Sequence, residues 1–233
     1  MNNIKVIAFD ADDTLWVNEP YFREAETKFA KLLSRFGDVE YISNKLYEIE
    51  INNLCSYGYG AKSFTLSLIE CATKLCKENP LEPQLTVDEI SEIVEIGTSL
   101  IKVEIELLEG VEEALAKLSK NFRLVVATKG DLLDQQQKLE RSGLKKYFSH
   151  VEVMSNKTST DYQNLIKLLD VEPSEFLMVG NSLKSDIIPV LEIGGFAVHI
   201  PFHTTWQHEE VEDDVIHPNF YVVSDMSELG YVI

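Results

Sequence analysis

At 233 residues the chain can hold one large domain or two small ones, with a packed core that needs no disulfide or metal staple. Its 39 acidic against 21 basic residues give a formal net charge of −18, which argues against DNA, RNA or an anionic membrane as a partner. Three cysteines, Cys55, Cys71 and Cys76, form an odd set without zinc-type spacing, so free thiols in a reducing compartment are expected.

The first residues, MNNIKVIAFD, lack a basic region followed by a long apolar segment, so no signal peptide is expected. No apolar run approaches the length of a membrane span, and the expectation is a soluble cytoplasmic protein. The first predicted strand is Lys5 to Phe9, KVIAF. Four helical stretches follow without an intervening strand: Tyr21 to Phe36, Val39 to Leu54, Lys62 to Lys77 and Val87 to Glu106. Phe29, Leu32, Leu33 and Phe36 fall at helical spacing, while Tyr57-Gly58-Tyr59-Gly60 and the Asn79–Pro83 segment break the helices apart.

From Val111 the pattern changes to alternation. Helices are predicted at Val111 to Ser119, Leu132 to Ser142, Asp161 to Leu169 and Ile187 to Ile193. Strands are predicted at Arg123 to Ala127, Val151 to Met154, Phe176 to Val179 and Phe196 to Ile200, with one more near Phe220 to Val223. Short apolar strands alternating with helices predict an α/β fold with a parallel sheet. The expected organisation is an α/β core of residues 1–17 and 108–233, with a helical insert at 18–107.

Parallel sheets place their ligands at the carboxyl ends of the strands. After the first strand come Asp10, Asp12, Asp13 and Thr14; after the second comes Thr128, with the Lys129 and Gly130 amides at an expected helix start. Lys157 follows the third strand, and Gly180, Asn181, Ser182 and Asp186 follow the fourth. If these strands are neighbours, the groups converge. Asp10 and Asp12, two apart in extended chain, can point the same way. With Asp186 and the Asn181 amide oxygen they suggest an all-oxygen site for a hard cation, best matched by Mg²⁺. A cation also relieves the repulsion among the clustered aspartates. Carboxylate, cation, ammonium and hydroxyl together are what phosphoryl transfer needs.

Taken in order, Asp10-Ala11-Asp12-Asp13-Thr14, Thr128, Lys157, and Gly180-Asn181-Ser182 with Asp186 resemble the four motifs of the haloacid dehalogenase (HAD) superfamily. The resemblance covers about Ile4 to Val17 and Val111 to Ile200, and the helical insert is similar to the family's first cap type. It implies a Rossmann-like core with a helical cap. It also implies a Mg²⁺-dependent phosphatase acting on a small phosphorylated metabolite, with the cap as a lid. Asp10 would be the nucleophile that forms an aspartyl-phosphate, and Asp12 the acid/base whose main-chain carbonyl also ligates the metal. Thr128, with Lys129 and Gly130, would bind the phosphoryl oxygens. Lys157 would orient Asp10 and neutralise the phosphate, and Asp186 and Asn181 would hold the metal.

Two features depart from the family pattern. Asn181 stands where many members carry an acidic residue, and Lys157 lacks a following proline-bearing loop, leaving Lys129 as its nearest rival. Tyr57 and Tyr59 are the insert's candidates for substrate specificity. Ser182 doubles as a helix cap, and His199, His203 and His208 near Trp206 read as a surface loop because their spacing fits no zinc motif. A 2-haloacid dehalogenase is the alternative within the same fold, although it needs neither Asp12 nor a metal. A non-catalytic phosphate- or partner-binding protein is the alternative of another class. Sequence does not separate phosphatase from phosphotransferase or set the oligomeric state.

Overall fold

The computed structural model describes residues 3–233, which divide into two compact units, one of residues 3–19 with 105–233 and the other of Pro20–Glu104. Among the described residues no helix is long and apolar enough to cross a membrane. In chain order the first strand, β1 (Val6–Phe9), is followed by helices α1 (Glu19–Leu32), α2 (Val39–Tyr57), α3 (Ala61–Glu78) and α4 (Val87–Ser99). Then come α5 (Val111–Leu118), β2 (Arg123–Lys129), α6 (Leu132–Arg141), β3 (His150–Met154), α7 (Ser159–Leu169) and β4 (Phe176–Gly180). The chain closes with α8 (Ile188–Glu192), β5 (Phe196–His199), β6 (Phe220–Val222) and α9 (Leu229–Val232).

The six strands form one sheet in the order β3-β2-β1-β4-β5-β6, and every neighbouring pair is parallel. This is the Rossmann-like α/β fold. Parallel strands need crossover helices, which cover both faces and make the strands apolar throughout. Alternation along β1 divides its side chains accordingly. Ile7 and Phe9 join a core with Leu115, Leu118, Leu124, Leu139 and Leu177. Val6 and Ala8 join the opposite core with Val125, Tyr162, Leu165, Leu169 and Met178. The order in which successive strands are added to the sheet reverses between β1 and β4, and the crevice at such a point is where open α/β sheets bind ligands.

The helical unit has its own core, in which Phe29, Leu33, Ile42, Leu46, Phe64, Leu68, Leu75 and Ile93 are buried together. Helix starts are capped: the Asp38 side chain accepts from the Tyr41 N–H, and Thr86 forms a reciprocal capping box with Glu89. Glu89 also receives both Nη1 (2.6 Å) and Nη2 (3.2 Å) of Arg35, a two-point ion pair.

Several boundaries differ from expectation. The last helix of the insert ends at Ser99, not Glu106; a 3₁₀ turn spans Leu100–Lys102. The chain leaves the helix there because residues 106–108 pair antiparallel with the departing chain, where Val17 N–H donates to the Glu106 carbonyl and Leu108 N–H to the Leu15 carbonyl. Helix α1 starts two residues early, at Glu19, and ends at Leu32, with a separate 3₁₀ turn over Ser34–Phe36. The segment before α8 is a π-turn, Leu183–Ile187, which widens the backbone under Asp186.

The best local test is in the helical core. Phe29 is fully buried, so Phe29→Ala is expected to destabilise that unit by about 3–5 kcal/mol, read as a lower urea midpoint.

Candidate active site

Four strand ends supply the polar cluster. Asp10 is the first residue past β1, and its N–H donates to the Val179 carbonyl of β4, which aligns it with the segment after Gly180. Lys157 lies past β3. Its buried Nζ donates to Asp10 Oδ1 at 2.5 Å and to Asp186 Oδ1 at 2.6 Å. The other Asp186 oxygen accepts the Ser182 N–H at 3.0 Å. A Cβ on Gly180 would fall 2.3 Å from Asp186 Oδ2, so this glycine provides the room in which that carboxylate lies.

Burial sets the electrostatics. It pushes the Asp10 carboxyl up to about 7, against the pull of the Lys157 ammonium, and the Asp186 charge adds to the rise. For Lys157 burial works against the charge, but the Asp10 and Asp186 carboxylates outweigh it and hold the ammonium above its usual range. The lysine therefore stays charged at neutral pH, and burial raises the proton affinity of Asp10 beside it.

Asp12 is held differently. Its Oδ1 accepts from the Trp16 indole N–H (2.7 Å) and from Lys138 Nζ (3.0 Å), and its Oδ2 accepts from the Gln135 amide (2.7 Å). Lys138 Nζ also donates to Asn18 Oδ1 at 2.8 Å. Asp13, at φ 61°, takes no part in this set. Its carboxylate accepts the N–H groups of Asn18 and Glu19, which closes the turn after β1, and aspartate tolerates that left-handed conformation. Burial raises Asp13 to about 7, against those backbone donors.

The remaining expected residues are distributed as follows. Thr14 Oγ1 donates to Asn181 Oδ1 at 3.0 Å, which joins the segments after β1 and β4. Thr128 is buried near the end of β2, and its hydroxyl donates to the adjacent Lys129 carbonyl at 3.2 Å. Lys129 is not at a helix start: it ends β2, and α6 begins after Asp131, whose side chain caps it. Aspartate wins the cap because its carboxylate accepts the Asp134 N–H, which the lysine and glycine side chains cannot do. The Lys129 ammonium pairs with Glu209 (2.5 Å) and Ser185 (2.9 Å), so Lys157, not Lys129, is the lysine on Asp10. Gly130, at φ +131°, lies against the Gln135 side chain. Tyr57 ends α2 half-exposed, and Tyr59 follows in the connection to α3; both belong to the helical unit. His199 ends β5 rather than lying in a loop, and its Nε2 donates to the Asn181 carbonyl.

Four side chains at this site escaped the sequence reading: Gln135 and Lys138 on α6, and Ser185 and Glu209. A signal for the first two existed. Helix α6 exposes Leu132 and Leu133 and buries Asp134, Gln135 and Lys138, which reverses the usual amphipathic rule. Glu209 sits in a 3₁₀ turn of an acidic tail, where nothing local distinguishes it.

The oxygens that could hold a cation at these strand ends are the Asp10 and Asp186 carboxylates on Lys157 and the Asn181 amide oxygen, which accepts from Thr14. Among the described residues no group of three or more His, Cys, Asp and Glu side chains gathers tightly enough to hold a metal ion. An ion here would draw on two carboxylates, neutral oxygens and water. That set suits a hard cation that keeps part of its hydration and does not suit zinc.

A parallel α/β sheet with carboxylates and a buried lysine gathered at its strand ends sets the class. Residues 4–194 match the haloacid dehalogenase-like hydrolase family, and the chain belongs to it. It is therefore a hydrolase. A haloacid dehalogenase-like hydrolase of known structure from Xanthomonas campestris is 36% identical, with a TM-score of 0.86 over 99% of this chain and 90% of that one. The N-acylneuraminate-9-phosphatase of Homo sapiens is 25% identical over 205 residues, which is 83% of this chain and 81% of the human protein. A HAD hydrolase from Bacillus subtilis shares the fold at 17% identity and a TM-score of 0.63 over 99% of this chain and 98% of that one.

Removing the lysine would leave two buried carboxylates facing each other. Lys157→Met is expected to cost about 3–5 kcal/mol at pH 8. The deficit should shrink toward pH 5, since protonation of Asp10, whose carboxyl burial already raises, removes part of the uncompensated charge. Urea denaturation at the two pH values checks this, and equal deficits would contradict it.

Proposed function

We propose that the protein is a phosphatase that hydrolyses a small phosphate monoester, with Asp10 as the nucleophile and Mg²⁺ as the cofactor. The observation that carries this reading is the Asp10–Lys157–Asp186 bridge, with a second carboxylate, Asp12, held separately two residues along. One carboxylate is thereby available to attack and another to move a proton. The phosphatase name of the relatives at about a quarter identity supports the same reading.

In the first step an Asp10 oxygen bonds to phosphorus while the bond from phosphorus to the leaving oxygen breaks. Asp12 gives a proton to the departing alcohol. In the second step Asp12 takes a proton from water, whose oxygen attacks the aspartyl-phosphate and regenerates Asp10 and inorganic phosphate. Three donors, the Trp16 indole N–H, the Gln135 amide and Lys138 Nζ, orient the two Asp12 oxygens in the resting site. Lys157 keeps Asp10 oriented and offsets negative charge as the phosphoryl group arrives. The Thr128 hydroxyl and the Lys129 and Gly130 amides are assigned to the phosphoryl oxygens. Asp10, Asp186, Asn181 and the Asp12 carbonyl would hold Mg²⁺, which when bound supplies further neutralisation of the carboxylates and the phosphoryl oxygens.

Asp12 separates this reading from hydrolytic dehalogenation, which has no need of a second carboxylate two residues beyond the nucleophile. Phosphate release with and without Mg²⁺ should be measured on p-nitrophenyl phosphate, sugar phosphates and an N-acylneuraminate 9-phosphate. Asp10→Asn should reduce turnover by roughly 10⁴-fold or more. No release from any ester in the presence of Mg²⁺ defeats the proposal, and so does full activity in Asp10→Asn.

A further inference from the structure

Glu209 lies in the 3₁₀ turn Gln207–Glu209, far along the chain from the motif residues, yet its carboxylate accepts three hydrogen bonds from side chains near the strand ends. Oε1 accepts from Lys129 Nζ at 2.5 Å, and Oε2 accepts from both Ser182 Oγ and Ser185 Oγ at 2.5 Å. Lys129 Nζ also donates to Ser185 Oγ at 2.9 Å, which closes the set. Burial alone would raise the Glu209 carboxyl, but the Lys129 charge and these hydrogen bonds outweigh it and bring it down to about 2. The turn that carries Glu209 is tied to the same segment a second time, since Lys184 Nζ donates to the His208 carbonyl at 2.6 Å.

The two serines lead directly to Asp186. Ser182 N–H donates to Asp186 Oδ2 at 3.0 Å, and Ser185 N–H donates to Ser182 Oγ at 3.0 Å. The Ser185 carbonyl is fixed on its other side by the hydroxyl of Tyr162 at 3.0 Å. Asp186 Oδ1 in turn meets Lys157 Nζ. A continuous set of hydrogen bonds thus runs from Glu209 through Ser182 to Asp186, Lys157 and Asp10. Glu209 performs a second task at its other oxygen. Lys129 is the next residue after Thr128, and Glu209 offsets the positive charge of its ammonium at 2.5 Å.

We infer that Glu209 is a positioning residue for the cation site: it orients the Asp186 carboxylate through Ser182 and Ser185 and neutralises Lys129. This rests on the reading that Asp186 helps to hold Mg²⁺. A group one shell behind a metal ligand typically changes affinity by about 10- to 100-fold when altered.

The test is titration of the folded full chain with Mg²⁺ alone, by calorimetry, for the unaltered protein, Glu209→Gln, Glu209→Asp and Glu209→Gln/Lys129→Met. Folding of each is checked by circular dichroism and thermal melting. Glu209→Gln should weaken Mg²⁺ binding by about 10- to 100-fold and raise the Mg²⁺ concentration needed for half-maximal phosphate release. Glu209→Asp should regain part of the affinity, and so should the double variant, because removal of Lys129 restores the charge balance. A folded Glu209→Gln whose Mg²⁺ affinity stays within about twofold of the unaltered protein overturns the inference, even if its melting temperature falls. Absence of Mg²⁺ binding by the unaltered protein overturns it too. If affinity falls as expected but no phosphate ester is turned over, the positioning role stands and the phosphatase reading alone fails.

Discussion

A single ammonium group, that of Lys157, lies between two carboxylates that the sheet brings together, Asp186 fully buried and Asp10 largely so. Two buried anions at hydrogen-bond distance from one cation leave a net negative charge in a low-dielectric place. Such a charge is costly unless paired and bonded. The fold meets this cost by several means at once: Ser182 N–H on the second Asp186 oxygen, the space left by Gly180, and the raised proton affinity of Asp10. The residual negative charge is also what would attract the proposed cation, so the electrostatic strain and the proposed chemistry have one origin.

The three aspartates after β1 are compatible because each has a different environment. Asp10 belongs to Lys157. Asp12 belongs to Trp16, Gln135 and Lys138. Asp13 belongs to the backbone of Asn18 and Glu19, and it shapes the turn instead of facing the other two. Repulsion among neighbours in sequence is therefore relieved by three separate sets of donors. A turn with one residue at positive φ is what lets consecutive carboxylates diverge within so few residues.

Helix α6 illustrates how a site can override local patterning. Apolar burial would place Leu132 and Leu133 inside, yet both are exposed while Gln135 and Lys138 are buried. These polar side chains gain charge-assisted hydrogen bonds to Asp12, which are stronger than neutral ones and offset their desolvation. The sheet fixes where α6 starts, through the Asp131 cap beyond β2, and so fixes which of its faces meets Asp12.

Local chemistry was enough to read most of the architecture. Short apolar runs bounded by polar strand ends mark β1, β2, β4 and β5, because a strand buried on both faces leaves no other pattern. The order of carboxylates, threonine and lysine after those strands points to one edge of the sheet. What local chemistry could not supply are contacts between residues remote in the chain. Lys138 reaches Asp12 across 126 positions and Glu209 reaches Lys129 across 80, and neither partner carries a local mark of the other. The choice between Lys157 and Lys129 was likewise settled by tertiary structure, since Lys129 ends one strand, Lys157 follows the next, and only the fold decides which ammonium arrives at Asp10. Sequence determined the class of chemistry because strand ends and residue types are local properties. The arrangement of its supporting charges came from folding alone, because pairing depends on which segments the sheet makes neighbours.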